Sequence, residues 1–593
     1  MARVNVRQFF RRTNLLLMIF SIVFIFLASS DYAQILFRVD WFLRWMPKLL
    51  MSWVVADVIY QLVSRTDQIG LWLRRFLVIL LWSAVTLSYG WLRLPNYQYS
   101  LGHQKVFYAF ILIHSLSFYL HQINQAQLKR YIGMLLQRPA HMMVLSYTAL
   151  ILLFTVLLLL PISQYGYQEG GLSALNALFL TVSAICVTGL APVDIASTFS
   201  PFGLGVLVLA VQLGGIGIAL LGSIMLYVRR SVGLSGRTLL AYSFSDDAVS
   251  DVGKVALRVI WATLIIELIG ASYFVWHFFV VQEYLLMPAL GHGIFFSISA
   301  FNNAGFSLFT GGSLESLRFD FSFLWMINLL IIFGVVGFNF IFYELNRMKR
   351  ALGRYLSKGV DHLNRTQVTM NNSTLVLRSG YGSILLMVVL FFLFYAFEHP
   401  HSIYVLSTAQ QYIESAFLSV DAKTAGFMSR DFTTLRFSTQ GLFLLGMFIG
   451  GASGGTAGGI KLNTILVIFA GFRAFIQQRP LAKIGQMSIS WEDVRRANIL
   501  FISAILVVIL ATFALSITER VQEPFAIFWE VVSALGTVGT SLNYTSDLTV
   551  LGRIVIMSVM LIGRLGALTL FSFAQEREVK KEPSYPLGNV YIG

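Results

Sequence analysis

The chain reads as long apolar runs separated by short polar breaks. Runs of about 20 apolar residues are long enough to cross a bilayer as helices. Leu15–Ala28, Leu50–Leu62, Phe76–Trp91 and Val106–Leu120 are candidate spans at the N-terminus. After them one pattern recurs four times: a span, a short apolar helix, a glycine-centred break and another span. These units cover about Met142–Tyr227, Val255–Leu345, Ser383–Phe475 and Val494–Phe573. The breaks read S-A-I-C-V-T-G-L (Ser183–Leu190), S-A-F-N-N-A-G-F (Ser299–Phe306), V-D-A-K-T-A-G-F (Val420–Phe427) and S-A-L-G-T-V-G-T (Ser533–Thr540). Their central glycines, Gly189, Gly305, Gly426 and Gly539, lie roughly 115 to 120 residues apart, the mark of an internal repeat.

The expected fold class is an all-α polytopic membrane protein. Four pseudo-symmetric repeats of span, pore helix and span (M1-P-M2) surround one pore, preceded by about four extra transmembrane helices. The corresponding divisions are an N-terminal helical bundle at 1–128 and pore repeats at 129–240, 241–365, 366–485 and 486–593. The third carries a further glycine-rich break, and the fourth ends in a short polar tail from Glu576. The connection Asn346–Thr374 reads as a basic surface loop with a short helix. No segment reads as a soluble domain with its own core.

Composition agrees. The chain is 57% hydrophobic and 12% charged, about half the charge of a soluble domain. One cysteine, Cys186, excludes an intramolecular disulfide framework and a multi-cysteine zinc site. No cleavage pattern follows the first apolar run, so it reads as a retained helix. The net charge of +15 comes from basic clusters at Arg7–Arg12, Lys129–Arg138, Arg229–Arg237, Arg347–Arg365, Arg473–Lys483 and Lys580–Lys581. Each abuts a span end, all on one side, which the positive-inside rule makes cytoplasmic. The N-terminus is then cytoplasmic, the glycine breaks face outward, and the charge describes membrane orientation rather than nucleic-acid binding.

Non-helical backbone at membrane depth must face protein or a water-filled cavity. Four glycine loops around one axis suit a cation, because backbone carbonyls replace its hydration shell and each preceding helix points its negative end at the cavity. The candidate filter comprises Val187, Thr188, Gly189 and Leu190; Asn303, Ala304, Gly305 and Phe306; Thr424, Ala425, Gly426 and Phe427; and Thr537, Val538, Gly539 and Thr540. A transported cation would sit at the four glycines, Gly189, Gly305, Gly426 and Gly539.

A second glycine-rich stretch, Ile449–Lys461, interrupts the last span of the third unit with Gly450, Gly451, Ala452, Ser453, Gly454, Gly455, Thr456, Ala457, Gly458 and Gly459. Each glycine costs about 1 kcal/mol relative to alanine in a helix, so an unwound segment is expected. A nucleotide P-loop is excluded, because Ile460 stands where lysine is required. The alternatives are close helix packing through small residues and a loop that blocks the pore. Arg564 in the last span should face the bundle interior; it is a candidate partner for that loop, or else is satisfied by helix-end carbonyls. Glu414 and Glu530, in the short helices before the third and fourth breaks, read as braces for the filter more than as direct attractors of cations. Asp57 is an intramembrane carboxylate that Arg74 or Arg75 would satisfy. No compact His or Asp/Glu cluster supports an enzyme.

These loops, S-A-F-N-N-A-G-F most specifically, resemble those of the Trk/Ktr/HKT superfamily of potassium transporters. The resemblance covers about Arg138–Gly593, including the ending N-V-Y-I-G. It implies potassium uptake at the inner membrane, a gate at Gly450–Gly459 and a homodimer with one pore per protomer. It also implies a cytosolic ring of nucleotide-binding regulatory subunits of the TrkA/KtrA type, with no organic cofactor in this chain itself. In the plant branch a serine at the first filter glycine accompanies sodium transport; Gly189 here favours potassium. Thr540 and Lys423 depart from the family's usual apolar residue and arginine. The alternative function is a sodium- or proton-coupled cation symporter.

Overall fold

A computed structural model describes residues 139–165, 171–228, 252–309, 314–356, 370–485, 487–519 and 523–566. The expected N-terminal spans, Asp57 and the C-terminal tail lie outside the described residues.

Among the described residues the helices fall into four successive sets. The first is α1 (Pro139–Leu158), α2 (Ala174–Cys186) and α3 (Pro201–Val228). The second is α4 (Val252–Trp276), continued by a π-helical turn at His277–Val281, then α5 (Leu286–Asn302), α6 (Phe321–Val336) and α7 (Phe338–Leu356). The third is α8 (Met370–Glu398), α9 (Thr408–Asp421), α10 (Phe437–Phe448) and α11 (Leu462–Ile476). The fourth is α12 (Trp491–Thr518), α13 (Pro524–Gly536) and α14 (Val550–Leu565). By length and composition α4 with its π turn, α8 and α12 can each cross a membrane, and the bent pair α6–α7 makes a fourth candidate.

Local chemistry sets many of the helix starts. Ser173, Asp320, Ser490 and Thr549 each accept a bond from a backbone N–H of the first turn, and Ser407 forms a reciprocal capping box with Gln410. The apolar residues then choose the packing. α3 packs on α5, α6 on α9, α10 on α13, and α14 on α2. The helix that follows the short helix in each set therefore covers the short helix of the next, and the fourth set closes on the first. One buried cluster joins the first set to parts of the third and fourth through Phe179, Phe199, Phe443 and Trp529. A second, rich in aromatic rings, fills the second set around Phe274, Phe278, Phe296 and Phe323.

Three features depart from the sequence expectation. The last span of the second unit is not straight: α6 and α7 meet at 98°. Gly337 makes the bend at φ 82° and ψ 153°, a conformation that is essentially glycine's alone. Its backbone lies against that of Ser453, Gly454 and Gly455, and Phe338 N–H donates to the Gly454 carbonyl at 3.3 Å. Second, helix takes up both ends of the connection Asn346–Thr374, because α7 runs on to Leu356 and α8 begins at Met370. Third, a small antiparallel hairpin stands between α11 and α12. It pairs β1 (Ala482–Ile484) with β2 (Met487–Ile489), and Ala482, Ile484 and Ile489 are buried with Ala470, Ala474 and Val494.

Gly337→Ala should lower the thermal unfolding midpoint of the detergent-purified protein, since the strained conformation costs about 1–3 kcal/mol for a side chain. Gly205→Ala in α3, where an added methyl meets nothing within 4 Å, should leave the midpoint unchanged or raise it slightly. Equal midpoints for both variants would contradict this account of the bend.

Candidate ion pathway

Each short helix ends in the same device. The residue two positions before the central glycine takes a left-handed conformation: Val187 (φ 56°), Asn303 (59°), Thr424 (68°) and Thr537 (49°). The glycines follow at φ 96° (Gly189), 66° (Gly305), 77° (Gly426) and 99° (Gly539). A pair of left-handed residues so close together turns the chain sharply off the helix axis.

The four turns meet one another. A Cβ added to Gly189 would overlap the carbonyl of Ala304, and one on Gly305 would meet the backbone of Ala425 and Gly426. One on Gly426 would overlap the Val538 carbonyl, and one on Gly539 the Thr188 carbonyl. The contacts run from Gly189 through Gly305, Gly426 and Gly539 and back to Gly189, so the loops form a closed ring. The carbonyls before each glycine (Thr188, Ala304, Ala425 and Val538) alternate with the glycine Cα atoms around it. The structure thus brings together the four segments that the sequence singles out, and sterics require glycine at each.

A polar side chain braces each turn from behind. Ser183 and Ser533 accept bonds from the Gly189 and Gly539 N–H groups at 3.0 and 3.1 Å. Ser299 donates to the Phe306 carbonyl at 3.0 Å. In the third turn a carboxylate takes this place: Asp421 Oδ1 accepts from Phe427 N–H at 2.8 Å. Glu414 is buried and pairs with Arg318 Nε at 2.7 Å and Arg430 Nη1 at 3.7 Å. Glu530 accepts from Thr545 at 3.0 Å and from Ser541. Both carboxylates tie a short helix to the chain that leads into or out of a turn, which is the geometry of bracing.

The stretch Ile449–Lys461 is not helical; α10 stops at Phe448 and α11 starts at Leu462. Its ends pair with each other through Gly450 N–H to the Ile460 carbonyl at 2.9 Å and Leu462 N–H to the Gly451 carbonyl at 3.1 Å. Its middle docks on the end of α6, where Ala452 N–H donates to Val335 and Thr456 N–H to Gly334, both at 3.0 Å. Thr456 Oγ1 reaches the Phe301 carbonyl near the end of α5 at 3.3 Å. Gly458 and Gly459 lie against Thr537 and Gly536 at the end of α13. Arg564 is 5% exposed; it donates from Nη1 to the Thr456 carbonyl at 2.5 Å and from Nη2 to the Gly214 carbonyl of α3 at 2.7 Å. The stretch therefore touches residues of the second and fourth sets, and Arg564 ties it to the first, immediately beside the ends of two short helices.

Some participants are given no role at this stretch by the sequence reading. Lys423 donates to the Ile449 carbonyl at 2.9 Å and Lys461 to the Ala457 carbonyl, so three cations in all are directed at carbonyls of this one stretch. Gly334 and Gly337 receive it, and their spacing in G-V-V-G was the available signal. A buried network of Glu267, Gln212 and Asn302 joins α4, α3 and α5 with bonds of 2.8 to 3.0 Å; its members are far apart in sequence and carry no local motif. Among the described residues no group of three or more His, Cys, Asp or Glu side chains suits a metal ion.

Comparison with known proteins bears on the family and the overall fold. A family model described as the TrkH cation transport protein matches residues 110–581. The chain is 33% identical over 458 residues to Ktr system potassium uptake protein B of Bacillus subtilis, covering 77% of this chain and 97% of that one. It is 31% identical over 459 residues to the Vibrio alginolyticus protein of the same name, covering 76% and 94%. It is also 28% identical over 464 residues to the potassium/sodium uptake protein NtpJ of Enterococcus hirae, covering 77% and 97%. The crystal structure of the potassium transporter TrkH from Vibrio parahaemolyticus superposes with a TM-score of 0.58 at 18% identity, over 85% of this chain and 98% of that one, which establishes a shared helical transporter fold. The chain therefore belongs to the Trk/Ktr family of membrane cation transporters, whose members carry out potassium uptake and are not enzymes.

Proposed function

We propose that this protein takes up potassium through a single pore, with the ring of glycine turns as selectivity filter and the loop Gly450–Gly459 as gate. One observation carries the reading: the four glycines contact one another in cyclic order with carbonyls between them. The four helix sets are then pseudo-symmetric repeats, corresponding to 129–240, 241–365, 366–485 and 486–593, and the N-terminal 1–128 is an additional helical bundle. Residues 187–190, 303–306, 424–427 and 537–540 supply the filter backbone. Carbonyls replace the ion's hydration shell, and the ends of four helices add their partial negative charge.

The gate reading rests on position and polarity. The loop fills the space beside the ends of α5 and α13, where a departing ion would pass. Arg564 holds it and places a positive charge on the path. Opening requires the loop to leave Gly334, Val335 and the Arg564 guanidinium. This chain would work in the inner membrane as a homodimer, N-terminus inside, with a cytosolic ring of nucleotide-binding subunits of the TrkA/KtrA kind moving the loop. The name of the Enterococcus hirae relative, potassium/sodium uptake protein, keeps a sodium-coupled mechanism as the second reading.

Rubidium uptake into proteoliposomes holding the purified protein, with and without sodium, tests the first part. Uptake should need no sodium and should follow the potassium gradient and voltage. Gly305→Ser, which must push into Ala425 and Gly426, should reduce uptake or admit sodium; unaltered flux and selectivity would overturn the filter assignment. A strict sodium requirement in the parent protein would favour the symporter.

Arg564→Ala tests the gate. Removing both guanidinium bonds should raise basal flux several-fold without the regulatory ring, while the filter's rubidium-to-sodium preference stays the same. Unchanged flux and unchanged gating would remove Arg564 from the mechanism.

A further inference from the structure

Asp421 is the one ionisable group among the four braces behind the turns; the other three are Ser183, Ser299 and Ser533. Its situation is costly on three counts. The side chain is fully buried. Oδ1 accepts the Phe427 N–H, but Oδ2 has no hydrogen-bond partner. Asp421 is also the last residue of α9, where the helix dipole is negative and an anion is disfavoured. Its own backbone carbonyl accepts from Ala425 N–H at 3.1 Å, so main chain and side chain both clamp the third turn. A serine performs the clamping in the other turns, so hydrogen bonding alone does not call for a carboxylate.

Among the described residues no cation forms an ion pair with it. Lys423, two residues on and equally buried, turns its amine to the Ile449 carbonyl at 2.9 Å. Glu414, about two helical turns earlier on α9, is occupied by Arg318 and Arg430. A buried carboxylate persists only with a counter-charge close by, and the site next to Phe427 and Gly426 that is built to hold a cation is the ring itself.

We infer that Asp421 is a positioning and affinity-setting residue of the ring: its carboxylate holds the third turn through Phe427 N–H and supplies the negative charge that the transported cation balances. The inference rests on the filter reading above. It makes the ring electrostatically asymmetric, with the tightest cation site biased toward the third turn, and it sets Lys423 as the opposing charge.

The test is rubidium uptake against external rubidium concentration, in proteoliposomes with the full-length protein. Asp421→Asn keeps an oxygen acceptor for Phe427 N–H and removes only the charge. Its half-saturating concentration should rise about tenfold, the order expected for losing one unit charge roughly 10 Å away at an effective dielectric of about 20, while the maximal rate stays within about twofold. Lys423→Gln keeps a donor for the Ile449 carbonyl and removes the opposing charge, so it should lower the half-saturating concentration. This second variant stands independently should Asp421→Asn fail to fold. Half-saturation at the parent value in Asp421→Asn, with only a lower melting temperature, overturns the inference; so does an unchanged value in Lys423→Gln. A disrupted Gly305→Ser beside a normal Asp421→Asn would sink this inference while leaving the filter reading intact. A normal Gly305→Ser would sink the filter reading first.

Discussion

Backbone that leaves the helical state inside an apolar bundle must find every hydrogen-bond partner within the protein. Among the described residues this chain leaves it at four glycine turns, at the stretch 449–461 and at the α6–α7 bend, and the rest of the architecture follows from how those groups are satisfied. The turns are closed by local bonds back onto the short helices, as from Thr188, Ala304 and Val538 N–H to the carbonyls of Ser183, Ser299 and Ser533 at 2.7 to 2.9 Å. The carbonyls just before the glycines are left to face one another's loops. Mutual contact of the glycine Cα atoms and those carbonyls fixes how near the four short helices come together, and hence which long helix can cover which short one.

The same accounting explains the break in α6–α7. The docked stretch has N–H groups at Ala452 and Thr456 that need acceptors, and a helix interior offers none to spare. Ending α6 at Val336 frees the carbonyls of Gly334 and Val335, and the bend at Gly337 steers α7 away so that the loop can lie there. Two irregular segments about a hundred residues apart thus complete each other's hydrogen bonds. The exchange is reversible in principle, because it joins a non-helical stretch to the free carbonyls of a helix end rather than to packed side chains. On the gating reading, this is why the docked state can be left at modest cost.

Much of this was legible in the sequence, because glycine is a steric statement. The four central glycines, their spacing and the apolar runs between them gave the helix order and the ring. Six glycines in one span gave an unwound segment, and a lone intramembrane arginine gave its contact. What escaped notice depends on tertiary register. The 98° bend arises from G-V-V-G, which inside an apolar run reads as small-residue packing until the partner segment is known. The hairpin at 482–489 is two strands of three residues, too short for a periodic signal. Asp421 stood in plain view within V-D-A-K-T-A-G-F, yet its charge became informative only once serines were found in the equivalent role elsewhere.

That contrast points to how a pseudo-symmetric ring acquires direction and choice. Four identical turns would offer a cation four equal quadrants and a gate no reason to favour one side. Here the third set carries a carboxylate brace, a buried lysine after it, and the interrupted helix whose loop docks on the ends of α6 and α13. Lys423 joins these, since it lies in the third turn while its amine holds the first residue of the loop at Ile449. Movement of the loop away from its dock must strain or release that bond, and with it the charge two residues from Asp421. On this reading the ring's affinity and the gate's position are linked through one turn, so an open pore and a tightly holding filter are not independent settings of the molecule.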